Sequence, residues 1–82
     1  MFYIEDVIHC EIDGPFSQFE HALDELHRRS FISWDQPPNR APCTSWQTCR
    51  REYHVYEYDQ SENPWKLLRK AHVLDISPEG VR

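Results

Sequence analysis

The chain predicts a small α+β fold. It is a single layer of about three β-strands with one amphipathic helix packed on it, in the order β-α-β-β. Three observations carry this. An apolar stripe of helical period runs through residues 15–29. Alternating or β-rich runs occupy 7–13, 51–59 and 71–77. The 82 residues leave room for one small core only. Residues 1–82 are therefore read as one domain, with a long Pro-rich loop at 33–50.

In Val7–Asp13, Ile8, Cys10 and Ile12 point one way and Val7, His9, Glu11 and Asp13 the other, the period of a half-buried strand. Phe2 and Ile4 extend the inward set, but Asp6 then falls inward. Either a bulge sits near Glu5-Asp6, or the first residues form a separate pairing segment. Asp13-Gly14-Pro15 ends the strand and opens the helix, since Pro suits the first helical position. Ser17-x-x-Glu20 offers a capping box as a second start. Phe16, Phe19, Ala22, Leu23 and Leu26 make the apolar stripe. Asp24→Arg28 and Glu25→Arg29 are i,i+4 pairs in the favourable order.

Pro37, Pro38, Asn39 and Pro42 prevent regular structure between Ser33 and Arg50. Loops this long are functional or disordered, and disordered ones are poor in aromatics. This one carries Trp34 and Trp46, so the indoles are expected to pin it. Arg51–Asp59 reads as a strand rich in aromatics, with both faces mixed. Pro64–Arg69 reads as a two-turn helix or as the return strand of a long hairpin, with the helix preferred. Ala71–Ser77 is a third strand, and Ser77-Pro78-Glu79-Gly80 matches a type I turn. Val81-Arg82 resembles the start of another strand.

Composition narrows the function. Only Gly14 and Gly80 are present, so no glycine-rich phosphate loop exists. No apolar run approaches the ~20 residues of a membrane span. The opening residues carry acids and no basic region, so a signal peptide is not expected and a cytoplasmic protein is. Three cysteines, an odd number, fit a reducing compartment better than a disulfide framework. The net charge of −5 is unevenly distributed. Met1–His27 contains seven acids and no Lys or Arg. Arg28–Arg51 contains five arginines and one acid.

Two constellations carry possible chemistry. Cys43-x5-Cys49 with Cys10, His9 or His54 is the metal candidate. Zinc sites usually space their pairs by two to four residues, and His9 and Cys10 point to opposite sides of a strand, so only one can join. Cys10 as a core residue and the others as free thiols, or as a Cys43–Cys49 disulfide, are the competing readings. No cofactor is expected. His54 with Glu57 and Tyr56 or Tyr58, plus Arg50 and Arg51, is the catalytic candidate, a set suited to acid–base cleavage of RNA. Three residues apart on a strand, His54 and Glu57 face opposite sides, and the acidic charge opposes RNA binding.

The leading expectation is a small non-enzymatic protein-binding module, of the inhibitor, immunity or mobile-element kind. Its acidic face is Glu5, Glu11, Asp13 and Glu20. Its aromatic contacts are Trp34, Trp46, Tyr56 and Tyr58. The expected partner is a basic protein or a second copy of the chain, not a membrane or nucleic acid. The alternative is the small RNA-processing enzyme.

Overall fold

The computed structural model describes residues 1–82. In chain order the elements are β1 (Phe2–Asp6), β2 (Glu11–Phe16), α1 (Phe19–Arg29), β3 (Arg51–Asp59), β4 (Lys66–Ser77) and β5 (Gly80–Val81). The strands form one antiparallel sheet in the order β2-β1-β3-β4-β5. The expected three-strand β-α-β-β layer is corrected to a five-stranded sheet with two strands before the helix and three after it.

The first difference lies at 7–13. The alternation there is not one strand, because the chain reverses through Val7–Cys10. Asp6 is the cause. Its carboxylate accepts the Ile8 N–H at 3.1 Å, an Asx-type turn, and Cys10 takes a left-handed φ of 55°. Asp6 does point inward, 1% exposed, because β1 carries the inward set of Phe2, Ile4 and Asp6. Gly14 and Phe16 belong to β2, whose end pairs with Phe2. A Cβ at Gly14 would lie 2.9 Å from the Tyr3 ring, and its φ is +139°. Glycine is required there by both close approach and conformation.

α1 consequently begins at Phe19, four residues after the expected start at Pro15. Ala22 and Leu26 are buried against Ile4, Tyr53, Val55 and Ile76, with Phe19 and Leu23 beside them. Glu25 ion-pairs with Arg28 at 2.8 Å and with Arg29 at 2.6 Å, so Arg28 is held from i−3 rather than by Asp24.

The Pro64–Arg69 segment forms no helix. From Lys66 it is the first half of the 12-residue β4, the return arm of a long hairpin. Register shifts on β4 leave Leu68 and Val73 as extra residues opposite β3. Such bulges remove a two-residue period from the sequence. β5 follows the turn after Ser77 and adds a short edge, where Asp75 and Arg82 exchange backbone hydrogen bonds of 2.9 Å.

Residues 33–50 have no strand or helix, as expected, but the indoles are only part of what holds them. Asn39 is buried. Its amide donates to Arg29 O at 2.9 Å and Ile32 O at 2.8 Å, and its Oδ1 accepts from the Tyr53 hydroxyl. The buried Arg51 guanidinium donates to Asn39 O, Pro38 O and Arg40 O. Trp34 packs on the core edge and meets Trp46 at 5.8 Å between centroids; Arg40 lies 3.9 Å over the Trp46 ring. The core is one-sided, with 11 of 82 residues buried, and the sheet face away from α1 carries no covering element.

Candidate functional site

Residues opposite each other on antiparallel strands share a face, so the register fixes what the uncovered face displays. Ile4 and Val55 face the helix. Tyr3, Glu5, Glu52, His54, Tyr56, Tyr58, Lys70 and His72 face away from it. This settles the mixed faces of β3: Tyr53 and Val55 are core, and the other aromatics are surface.

The rings on that surface form one continuous chain. Trp65, reaching in from the β3–β4 turn, stacks on Tyr3 at 5.9 Å and 24°. Tyr3 meets Tyr58 edge-on at 5.9 Å, Tyr58 meets Tyr56 at 6.1 Å, and Tyr56 meets His54 at 6.3 Å. His54 lies parallel to His72 at 4.5 Å and 5°. Edge-to-face and offset contacts of this kind fix the rings relative to one another. The Tyr rings and His54 are half-buried by their neighbours; Trp65 is 51% exposed.

Carboxylates are set among these rings. Glu5 is half-buried beside Tyr56. Desolvation and the hydrogen bond with Glu5 push the Tyr56 phenol up to about 12. Desolvation, then the charge of Glu5, also raises Tyr58. Glu52 lies 2.8 Å from His54 Nε2 and accepts from Arg50 at 3.2 Å. The hydrogen bond from His54 holds Glu52 below its ordinary value. Asp75 lies 2.7 Å from His72 Nε2. The face thus offers π surfaces and carboxylate oxygens together, a combination complementary to guanidinium and ammonium groups.

The other sequence candidates are distributed differently. Glu11 and Asp13 lie on the helix side and are compensated, Glu11 by Arg51 and Asp13 by Arg29 at 2.9 Å. Glu20 is exposed in the first turn of α1. Trp34 and Trp46 face each other within the loop, as described above. His54 and Glu57 are on opposite faces, with Glu57 paired to Arg69 at 3.3 Å. Arg51 is buried and Glu57 faces the other side, so of the expected acid and arginines only Arg50, through Glu52, lies near His54. The group the sequence reading missed is Glu52, His54 and His72. The i,i+2 spacing of Glu52 and His54 on one strand was its only sequence signal.

A second cluster sits where the β1–β2 turn meets the loop. Successive turns run through Cys43–Cys49, with Trp46 N bonded to Cys43 O, Thr48 N to Ser45 O and Cys49 N to Trp46 O. They bring the two thiols to the same imidazole. His9 Nε2 is 3.0 Å from Cys49 Sγ and 3.8 Å from Cys43 Sγ. On its other side, His9 Nδ1 is 2.6 Å from Asp6 Oδ2. Cys10 is exposed and stands outside this group. Burial works to raise Asp6, but hydrogen bonds from His9 and Arg51 outweigh it and hold the carboxyl low. Burial likewise opposes charging of His9, and Asp6 reverses that. The Ser45 hydroxyl, with Cys49, brings the Cys43 thiol down to about 7, while burial raises Cys49.

No family model, no curated protein and no solved structure matches the chain.

Proposed function

We propose that the protein is a small non-enzymatic protein-binding module that receives Arg- or Lys-bearing side chains of a basic protein on its uncovered sheet face. The six-ring chain from Trp65 to His72, with Glu5, Glu52 and Asp75 set along it, carries this reading. Aromatic rings bury much area with little rotamer entropy, and carboxylates beside them select cations and speed encounter. The same carboxylates repel phosphates, so a nucleic-acid partner is disfavoured despite the aromatics. They also oppose a face-to-face pairing of two copies, which would place like charges together. Inhibitor, immunity and mobile-element proteins are the functional class this size and charge suit, and the proposed setting is the cytoplasm. No helix is long and apolar enough to cross a membrane.

The test is capture of partners from native lysate on immobilised protein, at about 50 mM and about 300 mM salt, with the variant Trp65→Ser/Tyr58→Ser in parallel. The expected result is a basic partner, retained at low salt and weakened at high salt. The variant should lose affinity by about 30-fold, the effect of truncating a ~2 kcal/mol hot spot. Equal capture by a folded variant, or an acidic partner insensitive to salt, overturns the reading. A dimer by size-exclusion chromatography that the variant abolishes assigns the face to self-association instead.

A further inference from the structure

We propose that His9, Cys43 and Cys49 bind a zinc ion that clamps the 33–50 loop to the β1–β2 turn, with water in the fourth position. Two thiolates and an imidazole are the donor set zinc prefers over harder cations. The three ligand atoms all lie within 4.8 Å of one another. A tetrahedral ion with Zn–S near 2.3 Å and Zn–N near 2.05 Å places N and S about 3.6 Å apart. The observed His9–Cys separations of 3.0 and 3.8 Å bracket that value. Side-chain adjustments of about 0.6 Å at Cys49 and about 0.2 Å at Cys43 bring both sulfurs to that separation.

The imidazole is also prepared for the role. Its Nδ1 hydrogen bonds to Asp6, which leaves Nε2 facing the sulfurs as the free lone pair. Carboxylate–histidine–zinc arrays are built this way, the carboxylate fixing both tautomer and ring orientation. Asp6 is itself fixed. It is 1% exposed and accepts from Arg51 at 2.9 Å, from Ile8 N–H and from Glu52 N–H. The five-residue spacing between Cys43 and Cys49, wider than usual for a zinc pair, is closed by the consecutive turns between them. Asp6 is a positioning residue here, and Cys10 takes no part.

The test uses the full chain, purified under a phosphine reductant and titrated with zinc or cobalt(II) alone. Native mass spectrometry is expected to show one ion per chain. The cobalt form is expected to show thiolate-to-metal charge transfer of a strength matching two sulfurs, a readout that needs no variant. Zinc at a hundredfold excess over Kd should raise the melting temperature by roughly 10 °C or more, and chelator should reverse it. Cys43→Ser and Cys49→Ser should each lose the ion or weaken it by at least tenfold, whereas Cys10→Ser should bind as the parent does. Asp6→Asn, if folded, should weaken binding by about 10- to 100-fold while keeping the two-sulfur cobalt spectrum. Absence of a bound ion, a cobalt spectrum without two thiolates, or equal loss on Cys10→Ser overturns the proposal.

Discussion

Replacement of Arg51 by Met removes the side chain on which the sheet and the long loop converge. All five guanidinium N–H groups are used: Nε donates to Asn39 O at 3.1 Å, Nη1 to Asp6 and Glu11, and Nη2 to Pro38 O at 3.1 Å and Arg40 O at 2.7 Å. Methionine keeps much of the apolar stem, so the change isolates the charge and the fork. Removing one partner of a buried pair costs about 3–5 kcal/mol, because the remaining charge is left uncompensated. Asp6 keeps its bonds to His9 and to two backbone N–H groups, which places the loss near the lower limit. Glu11 is half-exposed and adds little. The expected cost is about 3 kcal/mol, a large share of the ~4–12 kcal/mol available to a domain of this length. Arg51→Lys retains a cation without the planar fork, and about 2 kcal/mol is expected. The assay is urea unfolding at pH 7 in chelator, followed by tryptophan emission, since Trp34 and Trp46 report on the loop. A folded Arg51→Met protein within 1 kcal/mol of the parent refutes the hub.

Two further perturbations test the framework around that hub. Hydrogen bonding by Arg28, against a burial penalty and with Arg29 assisting, holds the Glu25 carboxyl at about 2. Its folded value lies below its unfolded one, so the stability it contributes is complete above about pH 4.5 and is lost as pH falls towards 2. Solvent screening at the exposed Arg28 leaves about 1 kcal/mol of the ~3 kcal/mol the shift alone implies. Glu25→Gln should therefore lower the urea midpoint at pH 7 and flatten its decline between pH 5 and 2. Asn39→Ala leaves Ile32 O and the Tyr53 hydroxyl without their partner and strips Arg29 O of one of its two donors, the Ile32 N–H remaining. A loss of about 2–3 kcal/mol is expected, seen as a fall of roughly 10 °C or more in melting temperature.

How much of this was legible depended on whether periodicity survived in each element. β3 runs over the nine residues read from the sequence, because Arg51–Asp59 is uninterrupted and rich in β-formers. The helix was legible through Ala22, Leu23 and Leu26, but its start was not. Phe16 fits the helical stripe while belonging to β2, and Pro15 suits a strand end beside Gly14 as well as a helix start. β4 was misread at its first half because the bulges at Leu68 and Val73 break its alternation into short pieces. The β1–β2 reversal was hidden by a coincidence, since a four-residue turn preserves an apparent period of two through Ile8, Cys10 and Ile12. Among the sites, the zinc-ligand set was half legible. Cys43 and Cys49 were visible as a pair, but the choice between His9 and Cys10 needed the left-handed Cys10 and the grip of Asp6 on His9.

The charge partition shows why a one-dimensional count locates a surface badly. The acidic first third and the arginine-rich middle looked like two separate patches. The β2-β1-β3 order instead folds one against the other, since β1 and β2 bring Asp6, Glu11 and Asp13 towards Arg51 at the start of β3 and Arg29 at the end of α1. These acids stabilise the joint between sheet, helix and loop and are largely neutralised by doing so. Glu20 stays exposed on α1, and of the carboxylates on the uncovered face only Glu5 comes from the acidic first third. Glu52 and Asp75 come from β3 and β4, outside the segment where the acids are densest. The acidic character of the proposed binding face is therefore produced by strand pairing, not by the segment where the acids are densest.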